Sequence, residues 1–337
     1  ATELGAGETR AIQQDQVGGI HAGAQGVEHE AGAGGTGADD GDARHGADGS
    51  TDGPEVLHGK RVVVAHGGRM ALDGCNAVVT GGASGLGRAL CLELARRGGT
   101  VLIADIDADG ASETAELVRA AGGSAAIAEC DVRQWEQVEA LAHRAAAEIG
   151  PIDVLCNNAG VAAVGPFEEI SLEDWRWCVD INLWGVIYGC RAFLPKMRER
   201  RRGYVLNVAS AAGLLAPPGM APYNITKSAV VALSETLHAE YAPHVHVTAL
   251  CPTFFRTAIM DNARGADEKS SRATKKLMDR SALQAPDVAR IALDAVQRGT
   301  LYAVPMRDGR MFWRLKRALP QRYYDVLARI FAQQSKR

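Results

Sequence analysis

From about residue 70 onward, short apolar runs suited to strands alternate with stretches of ten or more residues whose apolar side chains recur every three or four positions. Asn76–Thr80, Thr100–Ala104, Ala125–Glu129, Val154–Cys156, Tyr204–Val208, Val245–Leu250 and Tyr302–Val304 read as strands. Gly87–Arg97, Ala111–Ala121 and Trp135–Glu148 read as helices between them. A helix between two strands is the connection that parallel neighbours need, because a tight turn can join only antiparallel ones. The pattern therefore predicts an α/β fold: one doubly wound domain, a mainly parallel sheet of about seven strands, and helices on both faces. In such a sheet ligands bind at the carboxyl ends of the strands.

The first 69 residues do not share this pattern. They hold 17 of the 38 glycines, with apolar residues that are mostly alanine and eleven acids against five bases. So little apolar surface cannot offset the entropy of ordering the chain, which predicts a disordered, acidic Gly/Ala/Asp-rich extension over 1–69. Its histidines, His21, His29, His45, His58 and His66, are spaced too irregularly for a metal site. Met70 is the first methionine and leads through Ala71, Leu72, Asp73 and Gly74 straight into a strand. That placement suggests the hypothesis that 1–69 lies outside the natural product. The expected catalytic domain then covers 70–306, followed by a basic, amphipathic helical tail over 307–337.

Bulk properties exclude several function classes. A net charge of −3 without clustered Lys and Arg argues against nucleic acid. No run of 18 apolar residues is present to span a bilayer, and the N-terminus lacks a secretory apolar core. Cys75, Cys91, Cys130, Cys156, Cys178, Cys190 and Cys251 form no C-x-x-C pair and mostly sit in apolar runs. They read as reduced core residues of a cytoplasmic protein, with no metal site.

The first strand ends in Thr80-Gly81-Gly82-Ala83-Ser84-Gly85-Leu86-Gly87 and passes at once into a helix. Gly81, Gly85 and Gly87 permit a tight turn, and Ser84, Leu86 and the helix start offer backbone N–H groups to a pyrophosphate. The strand–turn–helix context is what such a glycine motif needs to carry weight. Asp105 ends the second strand, 18 residues after Gly87. A carboxylate there accepts hydrogen bonds from both ribose hydroxyls and repels a 2′-phosphate, and no Lys or Arg follows directly. The expected cofactor is NAD(H) in preference to NADP(H). Asp131 and Val132 after the third strand are placed to meet the adenine. Asn157, Asn158, Ala159 and Gly160 after the fourth present small side chains and amides to the same edge.

At the reacting end, Tyr223 and Lys227 lie four apart at the start of a helix running to about Ala239, so they share one face. Ser210 follows the preceding strand and reaches the same edge. Moving a hydride between an alcohol carbon and nicotinamide requires a group that takes or gives the oxygen's proton. A tyrosine has a reference pKa near 10, about three units or ~4 kcal/mol too high for neutral pH. An adjacent ammonium in a partly dry cleft lowers it, and a serine hydroxyl stabilises charge developing on the substrate oxygen. Asn182 falls in a helical stretch before Gly185, where it is expected to open the helix to a water that links Lys227 to solvent.

Taken in order, these motifs resemble the short-chain dehydrogenases/reductases from about Met70 to Val304. The resemblance rests on T-G-x-x-x-G-x-G at 80–87, Asp105, Asp131, Asn157-Asn158-Ala159-Gly160, Asn182, Ser210, and Tyr-x-x-x-Lys at 223–227, with the serine 13 residues before the tyrosine. It implies a Rossmann fold, a catalytic tetrad of Asn182, Ser210, Tyr223 and Lys227, and a role for Lys227 on the nicotinamide ribose. It also implies a hydroxyl of Thr257 on the nicotinamide carboxamide, and a homodimer or homotetramer. One departure stands out: the family usually has Pro-Gly after the sixth strand, and this chain has Pro252-Thr253.

Leu214, Leu215, Met220, Phe254, Phe255 and Met260 flank the reacting edge and suggest an apolar pocket for a bulky alcohol or ketone. The polar segment Asp261–Arg280 is similar to the family's substrate-covering loop. In the tail, Val326, Leu327, Ile330 and Phe331 share one helical face, with Phe312, Trp313, Tyr323 and Tyr324 nearby. Such a face suits the substrate cleft, a partner subunit or, less commonly, an anionic membrane surface. The expected activity is NAD-dependent interconversion of a secondary alcohol and a ketone. The alternatives are an NADPH-dependent carbonyl reductase, which Asp105 opposes, and a non-catalytic nucleotide-binding regulator, which would not need an intact tetrad.

Overall fold

Strand side chains alternate between two cores in this protein. In β3 (Asn76–Thr80), Ala77 and Val79 join one buried cluster and Val78 the other. In β4 (Thr100–Asp105), Val101 and Ile103 go one way and Leu102 the other. Strands buried on both faces belong to a sheet covered by helices on both sides.

The computed structural model describes residues 64–65, 69–70, 72–265 and 268–334. β1 (Val64–Ala65) and β2 (Arg69–Met70) form a short antiparallel pair. The rest of the expected 1–69 extension, including its histidines, lies outside the described residues.

The main sheet continues with β5 (Ser124–Glu129), β6 (Val154–Asn157), β7 (Gly203–Val208), β8 (Val245–Leu250) and β9 (Tyr302–Ala303). Its order is β5-β4-β3-β6-β7-β8-β9, and every neighbouring pair is parallel. The expected strands agree with these to within a residue at each end. The connectivity reverses direction between β3 and β6, which opens a crevice at their carboxyl ends.

One face is covered by α1 (Gly85–Arg96), α2 (Ala108–Ala120) and α9 (Ala285–Gln297), through residues such as Leu90, Leu94, Val118 and Leu293. The other carries α3 (Trp135–Glu148), α5 (Gly185–Glu199) and α7 (Ala221–Tyr241), through Leu141, Phe193, Leu194 and Val230. Each fully buried leucine or phenylalanine here stabilises the fold by ~1.5–3 kcal/mol. Between these lie α4 (Leu172–Val179), short α6 (Ala211–Leu215) and α8 (Glu268–Asp279).

The expected helical tail consists of two helices, α10 (Arg307–Ala318) and α11 (Pro320–Gln334). Pro320 causes the break: it has no N–H to continue the ladder, and it drives Leu319 out of helical geometry, to φ −137° and ψ 61°.

Candidate functional site

At the carboxyl end of β3 the backbone turns so tightly that side chains are excluded. Gly81 has φ +65°, and a Cβ on it would lie 2.7 Å from the Ala159 Cα. A Cβ on Gly87 would lie 1.9 Å from the Gly81 carbonyl oxygen. The β6 loop closes over this turn, with Asn158 Nδ2 donating to the carbonyls of Thr80 and Gly81 at 2.9 Å each. Thr80 Oγ1 accepts from the Asn158 and Ala159 amides. Asn158 thus acts as a cross-strand tie as well as a cavity-wall residue.

Helices α2 and α4 have side-chain caps, from Asp107 and Ser171. Helix α1 has none: its N-cap residue Ser84 makes no side-chain cap hydrogen bond. The first-turn N–H groups of α1 therefore face the cavity without a capping oxygen, which is the condition for holding an anion. Gly81, Ser84, Gly85, Leu86 and Gly87 all line that cavity. A dinucleotide's pyrophosphate fits this cradle.

Asp105 stands at the end of β4, its carboxylate oriented by the Ala83 amide at 2.8 Å and the Asp107 amide at 3.0 Å. Two arginines, Arg88 on α1 and Arg133 after β5, are both paired with other groups. Arg88 donates to the Ala83 carbonyl, to Thr114 and to Glu113. Arg133 forms an ion pair with Asp131 at 2.6 Å. The Arg133 hydrogen bonds hold the Asp131 carboxyl below its usual range against the opposing effect of burial. Asp131 lines the cavity with Val132, as expected, but its carboxylate is already paired.

Asn182 lies in a π-helical turn, Asp180–Trp184, between α4 and α5, within the stretch read as helical from the sequence. Its side chain is fully buried, and both ends are used. Oδ1 accepts from the Val161 amide at 2.8 Å, and Nδ2 donates to the Val161 carbonyl at 2.9 Å and to Thr226 at 3.2 Å. The extra residue in the π turn turns this amide toward the β6 loop, so it fastens that loop to α7. The expectation of an amide opening the helix to water did not include these bonds.

Ser210 caps α6, its Oγ accepting from the Ala212 amide at 3.1 Å. Tyr223 and Lys227 project from the first turns of α7 into the same cavity. Lys227 is 2% exposed, donates to the Val208 carbonyl at 2.8 Å, and sits 5.7 Å from the centroid of the Tyr223 ring. Burial lowers the Lys227 pKa to about 8. Against the lowering expected from the Lys227 ammonium, burial pushes Tyr223 up to about 12, and it is the hydrogen bond with Ser210 that acts in the opposite direction. A phenol with a serine hydroxyl and a buried amine beside it can exchange a proton with an oxygen placed in the cavity.

The cavity measures about 1210 Å³ and runs from the glycine turn past Tyr223 to the C-terminal helices. Asp105, Gly160 and Thr257 line it, as do the expected pocket residues Leu215, Met220, Phe254, Phe255 and Met260. Leu214 does not: it faces the core from α6. Thr257 Oγ1 accepts from the Ile259 amide and lies against Gly85. From the segment expected to cover the substrate, Thr274 and Met278 of α8 reach the cavity.

Several lining residues were not singled out as site residues, among them Trp177, Ile181, Leu315 and Leu319. The tail's helical apolar spacing was the available signal for the last two. Its target depended on packing across the whole chain. All seven cysteines are free and buried, and the described residues include no cluster of potential metal ligands. No described helix is long and apolar enough to cross a membrane.

Comparison with known proteins fits this geometry. The short chain dehydrogenase family model matches residues 75–268. The oxidoreductase SadH of Mycobacterium tuberculosis is 34% identical over 265 residues, covering 77% of this chain and 92% of its own. The 3beta-hydroxysteroid dehydrogenase 1 of Eggerthella lenta is 35% identical over 226 residues, covering 66% and 86%. A short chain dehydrogenase/reductase from Burkholderia phymatum, solved in complex with NAD, superposes with a TM-score of 0.70 at 34% identity, covering 73% of this chain and 94% of its own. With the glycine turn and six of its seven parallel strands inside the matched stretch, the chain belongs to the short-chain dehydrogenase family and is an oxidoreductase of Rossmann fold.

Proposed function

We propose that this protein interconverts a bulky apolar secondary alcohol and its ketone using NAD(H), with Tyr223 as the acid/base. The observation that carries the reading is the juxtaposition of Tyr223, hydrogen-bonded to Ser210, with the buried amine of Lys227 in one cavity wall.

The uncapped turn formed by Gly81, Ser84, Gly85, Leu86 and Gly87 would hold the pyrophosphate, and Asp105 the adenosine ribose. Val132 and Asp131 would flank the adenine, with Asn158, Ala159 and Gly160 along the middle of the cofactor. Tyr223 and Lys227 would hold the nicotinamide ribose, and Thr257 the carboxamide. When bound, the cofactor supplies the hydride acceptor or donor. The preference for NAD(H) rests on Asp105, whose carboxylate repels a 2′-phosphate, and on the prior commitment of Arg88 and Arg133.

In the oxidative direction Tyr223, ionised to its phenolate, takes the proton of the alcohol oxygen as the carbon gives up its hydride. In the reductive direction it returns one proton to the carbonyl oxygen. Ser210 holds that oxygen and meets the charge developing on it. Lys227, when protonated, stabilises the phenolate, and Asn182 positions the β6 loop against α7.

The test is turnover of a secondary-alcohol panel with NAD⁺, followed as NADH formation. Tyr223→Phe is expected to lower kcat by about 10³-fold while NADH binding, read by fluorescence, is retained. Undiminished turnover in Tyr223→Phe removes the tyrosine from the chemistry.

A further inference from the structure

The family match ends at residue 268, yet the cavity that holds Tyr223 is finished by residues well beyond it. Phe312 and Leu315 of α10, with Val326, Leu327 and Ile330 of α11, line the same space. Phe312, Leu315, Val326 and Ile330 are 41–54% exposed. Large apolar side chains gathered on one cavity wall and left open to this extent mark a binding surface.

The helix pair is fastened to the catalytic edge itself. Lys316 Nζ donates to the Leu214 carbonyl at 2.8 Å, and Tyr324 Oη reaches the Leu215 carbonyl at 3.5 Å, both in the short helix that Ser210 caps. Thr253, which stands where the family usually has glycine, donates to Asp308 at the start of α10 at 3.2 Å. Its methyl group packs so closely that a Cβ on Gly309 would lie 2.9 Å from it. The Trp313 ring packs, tilted by 59°, against Tyr302 of β9 with centroids 5.0 Å apart. The tail is therefore held as a fixed wall by three hydrogen bonds and an aromatic contact.

We propose that α10 and α11 form the specificity wall of the substrate site, and that the substrate is an elongated, lipid-like alcohol or ketone whose apolar tail lies along Leu327 and Ile330. This rests on the alcohol–ketone reading above. The wall is mainly apolar, with Arg322 and Tyr323 as its polar members and no carboxylate of either helix lining the cavity, so it selects by apolar length. Each methylene laid against it adds a near-constant increment of binding.

The experiment is a length series of 2-alkanols from four to twelve carbons with NAD⁺, comparing kcat/KM in the wild type, Leu327→Asp, Ile330→Asp and Met311→Asp. Wild type is expected to gain about fourfold per methylene once the tail reaches the wall, which corresponds to the ~0.8 kcal/mol of a buried CH₂. Leu327→Asp and the half-exposed Ile330→Asp are expected to cut the ratio of twelve-carbon to four-carbon kcat/KM by tenfold or more. Met311, exposed on α10 away from the cavity, controls for added surface charge, and its ratio is expected to match wild type. A flat length profile, or an unchanged ratio in both wall variants while the wild type turns over alcohols, overturns the wall and leaves the reaction class standing. Failure to turn over any member of the series overturns the alcohol–ketone reading, and the wall with it.

Discussion

The Lys227 amine sits 5.7 Å from the centroid of the Tyr223 ring, buried, with its hydrogen bond directed to the Val208 carbonyl. The two groups meet because an i, i+4 pair on α7 shares a face and because that face closes against the end of β7. Burying an ammonium is costly, and the cost appears as the lowered pKa of Lys227.

That cost predicts a pH-dependent stability difference. Lys227 falls from 10.5 to about 8 on burial, so the unfolded chain binds its proton more tightly than the folded one. The contribution is fully present above pH 10.5 and is lost as pH falls through 8. At pH 7 the wild type then carries a penalty of about 3 kcal/mol that Lys227→Met lacks. Urea unfolding of both proteins at pH 7 and pH 10 is expected to show the variant gaining about 2 kcal/mol more, relative to wild type, at pH 7 than at pH 10. An equal difference at both pH values contradicts the lowered pKa.

Cofactor choice turns on Asp105. Replacing it with serine removes the charge that faces a 2′-phosphate but keeps an acceptor for ribose. In fluorescence titrations the wild type is expected to bind NADH at least tenfold more tightly than NADPH, about 1.4 kcal/mol, and Asp105→Ser is expected to erase most of that gap. Tighter binding of NADPH by the wild type would favour the NADPH-dependent carbonyl reductase.

A buried polar chain ties the sheet to the helix that carries Tyr223. Asn157 Nδ2 donates to Asn207 Oδ1 at 2.9 Å, and Asn207 Nδ2 donates to Ser234 Oγ on α7 at 3.0 Å. Asn207→Ala leaves the Asn157 amide without that acceptor in the core and is expected to lower stability by about 2 kcal/mol in urea unfolding. A loss below half a kcal/mol would mean that the surrounding residues repair the gap.

Much of the fold was legible in local pattern. Strand and helix periods placed β3 and β8 to the residue, and the glycines marked the turn because Gly81 and Gly87 leave no room for a Cβ and Gly85 has a positive φ. Tyr223, Lys227 and Ser210 were legible from type and spacing, since four residues on a helix fix a shared face whatever surrounds it. The two tail helices were legible as an amphipathic pattern, though not the break at Pro320.

The sequence by itself determined which segments become strands and helices, and which side chains a parallel sheet gathers at its carboxyl edge, because both follow from short-range geometry. Only the tertiary structure decided the neighbours. It committed Arg133 to Asp131 and Arg88 to Glu113, drew Leu214 into the core, turned Asn182 toward Val161, and set Leu327 about a hundred residues downstream of Tyr223 in the same cavity. A periodic pattern states which face of a helix is apolar. What covers that face depends on long-range packing of the whole chain, which no local window of the sequence contains.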